Sequence, residues 1–430
     1  MTASSAAGFW WWSVLILNRD GVSLTPWWAW LQCVFWAGPR PCAPSVGACR
    51  GARRAGVADA PDSPSSRFAI ANAFLLRRTG WTQRSRYPAA VQDADTERVV
   101  IVGDGQMALV LSDALCARGR GCTILSPFAA EAERLGHDRA SARLPGFRLP
   151  DAVRVTADRA ALGEATLVVC AIPTQFIRAT FTPLARAIPA DAPIVSVAKG
   201  IEVDSFRLPN EIISESLAAG GAGTRPFAAL SGPTIAAELA RRLPAVLVAA
   251  SADGEVAARV QSAFTSPWTR IYQSNDVVGV ELAGACKNVI AIAAGVCDGL
   301  SLGVNAKSAL LARGLAEISR VGVALGGSLE TFFGVAGAGD LATTCFAPEG
   351  RNRSFGERLA RGGDVQAALA ATTSVVEGVP TARALVELAR GQGIELPICE
   401  AVHAMVFESL KPRDALAQLM ARAAQSERIG

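Results

Sequence analysis

From Glu97 onward, short aliphatic and β-branched runs alternate with segments that favour helices, and this alternation limits the possible folds more than any other feature. The runs lie at residues 98–102, 122–125, 166–172, 193–197, 228–230, 246–250 and 269–272. Strands that alternate with helices indicate a parallel sheet with helices on both faces. After Val278 the strand signals stop, and Ala/Leu/Val-rich helical patterns continue to the C-terminus.

We therefore predict an α/β Rossmann-like, doubly wound sheet followed by an all-α C-terminal domain. The expected boundaries are residues 96–278 for the sheet domain and 279–430 for the helical domain. Within the sheet domain, a helix is expected over residues 107–118, directly after the first strand.

Residues 1–95 differ from the rest because they are rich in Trp, Arg, Pro and Ser and have no sustained periodicity. The apolar run at 8–17 is about half the length that spans a bilayer. No Lys or Arg precedes that run, as the n-region of a signal peptide would require. We expect a disordered or spuriously translated extension; membrane-surface association and targeting are the alternatives.

Composition excludes several classes of protein. Hydrophobic residues make up 50% of the chain and charged residues 19%, which allows a large buried core. The net charge of +4 over 430 residues gives no basic face for nucleic acid. Ten cysteines without a Cys-x-x-Cys pair indicate reduced thiols in the cytoplasm. Two distant histidines argue against a metal centre, and no integral membrane span is expected.

Nearly all basic residues of the chain are Arg, and only four of the 42 are Lys. Arg stays protonated in proteins, whereas a Lys can be tuned to exchange a proton. The four are Lys199, Lys287, Lys307 and Lys411. Composition alone leaves open which of them is tuned.

A dinucleotide-binding fingerprint follows the first strand. Gly103 permits a tight turn, Gly105 lets a pyrophosphate approach the backbone, and Ala108 keeps the helix close to the strand. The helix N-terminus then offers unpaired N–H groups to the phosphates. An ordinary strand–helix turn is the simpler alternative. The second strand runs into 125–128 with no charge before Glu131, so the choice between NAD and NADP stays open.

Two segments place polar residues at the carboxyl ends of predicted strands, where open α/β sheets bind ligands. Lys199 follows the strand at 193–197, and Gly232 and Thr234 follow the strand at 228–230. A solvated Lys and simple turn chemistry are the alternative interpretations.

Two further segments lie in the helical region. Lys287 is embedded in an apolar helix, where burial lowers its pKa toward the range useful for proton transfer. Asp340 is a candidate partner for that ammonium, and Arg351 has the planar fork that suits phosphate. A snorkelling Lys, a helix N-cap at Asp340 and surface arginines are the alternatives.

Residues from about 98 to 425 resemble the bacterial NAD(P)-dependent glycerol-3-phosphate dehydrogenase family. Seven motifs carry the resemblance in order: Gly103-x-Gly105-x-x-Ala108, Ile172-Pro173-Thr174-Gln175, Ala198-Lys199-Gly200, Ser231-Gly232-Pro233-Thr234, Lys287-Asn288, Asp298-Gly299-Leu300 and Arg351-Asn352-Arg353. The chain departs from the family pattern at Gln106-Met107, Phe128 and Gly350, which affects only cofactor choice and affinity.

The resemblance implies an enzyme that interconverts sn-glycerol 3-phosphate and glycerone phosphate (dihydroxyacetone phosphate) with NAD or NADP. It also implies a cytoplasmic homodimer that supplies phospholipid synthesis, with no metal. The implied catalytic residues are Lys287 as proton donor and acceptor, with Asp340 and Lys199. The implied substrate-binding residues are Lys199, Gly232, Thr234, Lys287, Asp340, Arg351 and Asn352. The implied cofactor-binding residues are Gly103, Gly105, Gln106, Met107, Ala108, Lys199, Ala236, Arg351, Val375 and Glu377.

Three other functions remain possible at this point. One is a 2-keto acid reductase or opine-type dehydrogenase on the same plan, which would need no phosphate on its substrate. A nucleotide-binding sensor is disfavoured because Lys199, Lys287 and Asp340 occur together. The Trp-rich N-terminal region suggests the third, a membrane-attached enzyme.

Overall fold

A computed structural model of the protein describes residues 97–372 and 375–423. The predictions made for residues 1–95 lie outside the described residues. The strands are β1 Val99–Val102, β2 Cys122–Leu125, β3 Val153–Thr156, β4 Leu167–Cys170, β5 Ile194–Ser196, β6 Phe227–Ser231, β7 Ala245–Ala250 and β8 Thr269–Ser274.

Helices accompany the strands and then replace them. Those of the sheet region are α1 Gln106–Cys116, α2 Ala129–Asp138, α3 Ile177–Phe181, α4 Pro209–Ala219, α5 Ala236–Ala240 and α6 Gly254–Phe264. Those that follow are α7 Val277–Gly299, α8 Gly303–Ala324, α9 Leu329–Phe333, α10 Asp340–Phe346, α11 Arg351–Ala360, α12 Val365–Ala370, α13 Gly378–Gly391, α14 Pro397–Phe407 and α15 Pro412–Met420.

The eight strands form one sheet in the order β3-β2-β1-β4-β5-β6-β7-β8. Strands β1 to β6 are parallel to one another. Their carboxyl ends therefore meet at one edge of the sheet, where open α/β folds bind ligands. The predicted doubly wound sheet and the helical region after it are confirmed.

Successive strand residues pack into different cores. Val99 and Ile101 belong to an apolar cluster with residues of α1 and α6. Val100 and Val102 belong to a second cluster with residues of α3 and α4. Because neighbouring side chains of a strand point to opposite faces, both faces of the sheet are buried. This explains the nearly continuous apolar runs of the central strands.

The sheet differs from the expectation at two places. Strand β3 was not predicted, because it is a four-residue strand paired on one side only and its Arg154 is exposed. Strand β7 pairs antiparallel with β6, although a uniformly parallel sheet was expected. The connection between them holds only the five-residue helix α5, whereas a parallel crossover must return the chain along the full length of the strand.

Helix α7 is the centre of the helical region. All residues from 279 to 296 are buried, and they pack against α10, α11, α13 and α14 in one apolar cluster. Among the described residues it is the one helix long and apolar enough to cross a membrane, but 89% of its apolar window is buried within the protein. Packing therefore accounts for its composition.

Helices α7 and α11 make direct backbone contact. A Cβ added to Gly295 of α7 would overlap the backbone oxygen of Arg353, and one added to Gly356 of α11 would overlap the backbone oxygen of Ile292. Glycine at both positions is therefore required for this close approach. The contact fixes the position of α11 relative to the helix that carries Lys287.

Candidate active site

The turn between β1 and α1 has the geometry of a dinucleotide site. Gly103 has a φ of +117°, and a Cβ there would lie 2.5 Å from the backbone oxygen of Ala171. A Cβ on Gly105 would meet no atom within 4 Å, so its backbone is open to a ligand. The N-terminus of α1 has no side-chain cap, which leaves its first N–H groups free for a pyrophosphate. These residues fit the expected cofactor.

The remaining fingerprint residues have different surroundings. Ala108 is fully buried between α1 and the sheet, as its predicted packing role requires. Met107 is half-buried against the same apolar cluster. The Gln106 side chain donates to the backbone oxygen of Arg143, so it ties the turn to the segment before β3. Direct cofactor contacts by Gln106 and Met107 stay predictions.

One buried carboxylate joins the two lysines that the sequence singled out. Lys287 Nζ donates to Asp340 Oδ1 at 2.6 Å, and Lys199 Nζ donates to Asp340 Oδ2 at 2.8 Å. Asp340 is only 1% exposed and begins α10, directly after the π-helical turn Val335–Gly339. The three residues come from α7, from the loop after β5 and from α10, so the fold brings together groups far apart in sequence.

Each ammonium group has three N–H donors, and the two lysines use them differently. Lys199 Nζ also donates to the backbone oxygen of Gly232 at 2.9 Å and to Thr234 Oγ1 at 3.3 Å, so all three of its donors are engaged. Among the described residues, Lys287 Nζ makes one further hydrogen bond, to Thr344 Oγ1 at 2.6 Å. Lys287 therefore keeps one donor for a ligand.

The surroundings of Lys287 change its acidity. Burial lowers the pKa of its ammonium to about 8, although the charge of Asp340 acts in the opposite direction. The charge of Lys199 lowers the pKa further. An amine that titrates near neutral pH can both give and take a proton there, which is the property that general acid–base catalysis needs.

A chain of amide hydrogen bonds connects Lys199 to α13. Asn288 Nδ2 donates to the backbone oxygen of Lys199 at 3.0 Å, and Asn352 Nδ2 donates to Asn288 Oδ1 at 2.9 Å. Asn352 Oδ1 accepts from the backbone N–H of Gly378 at 2.9 Å. The buried carboxamide of Asn352 thus holds neighbouring groups in place, and its predicted substrate contact would use the remaining N–H or the backbone amide.

Arg351 and Glu377 are charged neighbours, because the charge of Glu377 acts on the Arg351 guanidinium. Arg351 is exposed, and its guanidinium has no hydrogen-bond or ion-pair partner within residues 97–372 and 375–423. Glu377 Oε1 accepts from the backbone N–H of Thr174 at 3.2 Å, and burial raises the pKa of this carboxyl to about 7. Glu377 Oε2 is buried beside the Thr174 hydroxyl, which lowers the pKa of the carboxyl against the effect of burial. The predicted cofactor contact of Glu377 stays a prediction.

The structure therefore gathers Lys199, Gly232, Thr234, Lys287 and Asp340 through direct hydrogen bonds. Ala236 begins α5 just after the Gly232–Thr234 loop, and half-buried Val375 lies two residues before Glu377.

Two residues of the cluster had received no role from the sequence. Thr344 lies one helical turn after Asp340, and i,i+4 spacing on one helix face was the signal that could have identified it. Asn288 adjoins Lys287, but nothing in the sequence indicates that its amide contacts the Lys199 backbone.

Comparison with known proteins identifies the family. The model of the NAD-dependent glycerol-3-phosphate dehydrogenase N-terminus matches residues 98–257, and the model of the C-terminus matches residues 276–417. A glycerol-3-phosphate dehydrogenase [NAD(P)+] of Geobacter sp. (strain M21) is 40% identical over 338 residues, which cover 77% of this chain and 99% of the relative. The relative from Thermobifida fusca (strain YX) is 41% identical over 337 residues, with the same coverage of both chains.

A solved structure has the same fold. The glycerol-3-phosphate dehydrogenase of Coxiella burnetii is 32% identical, with a TM-score of 0.72 over 76% of this chain and 99% of that chain. The family resemblance carried by the seven motifs is thus confirmed along both the sheet region and the helical region. The chain belongs to the NAD-dependent glycerol-3-phosphate dehydrogenase family.

Proposed function

We propose that this protein interconverts sn-glycerol 3-phosphate and glycerone phosphate with NAD or NADP, and that Lys287 transfers the proton. The observation that carries this proposal is the geometry of the Lys287 ammonium. Asp340 and Thr344 hold it on two sides, and one N–H donor remains for a substrate oxygen. Family membership supports the same reaction, because the relatives are named for it.

Thr344 orients Lys287 because its own proton is already committed. Thr344 Oγ1 donates to the backbone oxygen of Asp340 at 2.7 Å, so it can only accept from the ammonium. The free N–H of Lys287 then points at the carbonyl oxygen of a bound ketone. During reduction, this N–H bond breaks as the oxygen takes the proton. During oxidation, the neutral amine takes the proton back.

Lys199 acts by charge and position. Its three donors are bound to Gly232, Thr234 and Asp340, so the role that this arrangement favours for Lys199 is electrostatic. Its positive charge stabilises the oxygen that becomes negative in the transition state. It also keeps Asp340 paired after Lys287 has lost its proton, so the buried carboxylate is never left without a cation.

The substrate phosphate is bound at the start of α11. Gly350, the N-cap of this helix, provides no side-chain cap, so the first N–H groups are available to an anion. Arg351 adds a guanidinium that has no partner in the described part of the chain, and its fork matches phosphate oxygens. The backbone amide or the second side-chain N–H of Asn352 also binds the phosphate, while its other side-chain N–H donates to Asn288.

The cofactor binds along the carboxyl edge of the sheet. Gly103, Gly105, Gln106, Met107 and Ala108 form its pyrophosphate turn. Further contacts come from Lys199, Ala236, Arg351, Val375 and Glu377. When bound, the reduced nicotinamide supplies a hydride to the carbonyl carbon.

Three wider features belong to the same proposal and rest on family membership. The enzyme works in the cytoplasm as a homodimer, and its glycerol 3-phosphate supplies phospholipid synthesis. Residues 96–278 form the cofactor domain, and residues 279–430 form the substrate and catalytic domain.

The proposal is tested with the full-length protein by following absorbance of the reduced cofactor. We expect oxidation with glycerone phosphate and very little with unphosphorylated glycerone. Arg351→Ala should raise KM for glycerone phosphate by roughly 10- to 100-fold, since a charge-assisted phosphate contact is lost. Lys411→Ala, a change at an exposed lysine, is the matched control. Equal turnover of both ketones, or turnover of a 2-keto acid alone, would contradict the proposal.

The pH profile should report the titration of Lys287. Because the pKa of Lys287 is lowered to about 8, its protonated form is lost as pH rises through that value. Reduction needs the protonated amine, so kcat should fall above pH 8 by about tenfold per unit. Oxidation needs the neutral amine, so its kcat should rise through the same range. A profile flat from pH 6 to 10 in both directions would rule Lys287 out as the proton donor.

A further inference from the structure

An arginine lies beside the place where the fold receives the cofactor's adenosine ribose. In doubly wound folds, that ribose is read at the end of the second strand. Here β2 ends at Leu125, and Ser126 Oγ donates to Asp104 Oδ2 at 2.6 Å. Asp104 is the residue between the two glycines of the fingerprint, so the pyrophosphate turn and the end of β2 are joined directly.

Arg143 crosses to this point from the segment between α2 and β3. Its Nη1 forms an ion pair with Asp104 Oδ1 and also donates to the Asp104 backbone oxygen at 3.3 Å. Its backbone oxygen accepts from Gln106, so both ends of the residue are anchored to the fingerprint turn. The side chain is 38% exposed, and its Nε and Nη2 donors have no partner among the described residues.

The acidic groups nearby are unsuited to binding a free 2′-hydroxyl. An enzyme that uses NAD presents a carboxylate to that hydroxyl. Both oxygens of Asp104 are already engaged, one by Ser126 and one by Arg143. The carboxylate of Glu131 forms an ion pair with Arg134, three residues further along α2. In contrast, Nε and Nη2 of Arg143 carry three N–H donors that make no hydrogen bond among the described residues.

We propose that Arg143 is a cofactor-specificity residue that binds the adenosine 2′-phosphate, and that the enzyme therefore prefers NADP to NAD. A guanidinium matches a phosphate through parallel N–H bonds, and Asp104 holds this one in place beforehand. The proposal rests on the proposed function, because it concerns the cofactor of that reaction.

Equilibrium binding to the full-length protein tests this role without turnover. The ligands are NADPH, NADH, 2′,5′-ADP and 5′-AMP, measured by calorimetry. We expect wild-type protein to bind NADPH and 2′,5′-ADP about 10- to 100-fold more tightly than their counterparts without the phosphate. Arg143→Gln should remove most of that ratio and leave NADH affinity nearly unchanged. Arg143→Lys, which keeps the charge, should retain part of the ratio.

Arg148→Gln is the matched control, since Arg148 lies in the same segment but is 73% exposed and only weakly paired with Asp151. Equal loss of NADPH and NADH affinity in Arg143→Gln would show a structural role alone and overturn the proposal. Wild-type protein that binds NADH at least as tightly as NADPH would also overturn it.

The two proposals fail separately. If the protein reduces glycerone phosphate but binds NADPH no more tightly than NADH, only the role of Arg143 is refuted. A selective NADPH loss in Arg143→Gln, in a protein that never reduces glycerone phosphate, refutes only the reaction.

Discussion

Replacing Lys287 with alanine lowers kcat for glycerone phosphate reduction by about 10²- to 10⁴-fold, the range expected for loss of a general acid. The substituted protein keeps Asp340 paired with Lys199 through a 2.8 Å contact, so the carboxylate remains neutralised. Nucleotide affinity should therefore change little, and the loss should fall on kcat. Single-turnover kinetics with the reduced cofactor would place the loss on the chemical step.

Lys411→Ala serves as the control for this change, because Lys411 is an exposed residue at the start of α15 and has no proposed role in the site. Lys287→Arg provides a second comparison. An arginine keeps the charge but stays protonated, so its residual activity should lack the decline above pH 8. Near-normal turnover of Lys287→Ala would refute the assignment of the proton donor.

Asp340→Asn should shift the pH dependence rather than abolish activity at every pH. The charge of Asp340 raises the pKa of Lys287 against the effect of burial. Loss of a close opposite charge should lower that pKa by about 1–3 units. At pH 7.5 most of Lys287 would then be neutral, and reduction should slow by about 3- to 200-fold, depending on how far the pKa falls.

The diagnostic result is recovery of Asp340→Asn activity on acidification toward pH 6. A protein that had simply lost its fold would not recover in that way. Asp151→Asn is a suitable control, because the Asp151 side chain is 86% exposed and its carboxylate lies 3.9 Å from the Arg148 guanidinium. An unchanged pH midpoint in Asp340→Asn would contradict the coupling between the two residues.

Much of the fold could be predicted from local patterns. Helix α7 and the central strands have strong apolar signals because both are buried on every side. Strand β3 was missed because a short edge strand with an exposed Arg154 buries too little apolar surface to leave a pattern. The direction of β7 was missed because strand composition does not encode whether a neighbour runs parallel or antiparallel.

The site was predictable as a set of residues but not as an arrangement. Asp340 was an expected partner of Lys287, but nothing in the sequence showed that it also binds Lys199, from which it is separated by 141 positions. The hydrogen bonds from Lys199 to the loop after β6 could not be inferred from the sequence, and the substrate contact predicted for Lys199 stays a prediction. The position of Arg143 could not be inferred, because its segment had no recognisable signal and its partner lies 39 residues away.

The close approach of α7 and α11 at Gly295 and Gly356 bears on which ketones the enzyme can accept. Lys287 lies two helical turns from Gly295, and Arg351 lies fewer than two turns from Gly356. The proposed proton donor and phosphate site are thus held on two helices whose separation is set by main-chain atoms. Side-chain substitutions in the cleft can alter its lining but not this spacing. A relative that acts on a longer phosphorylated ketone would therefore need larger residues at this helix crossing, far from any atom that reacts.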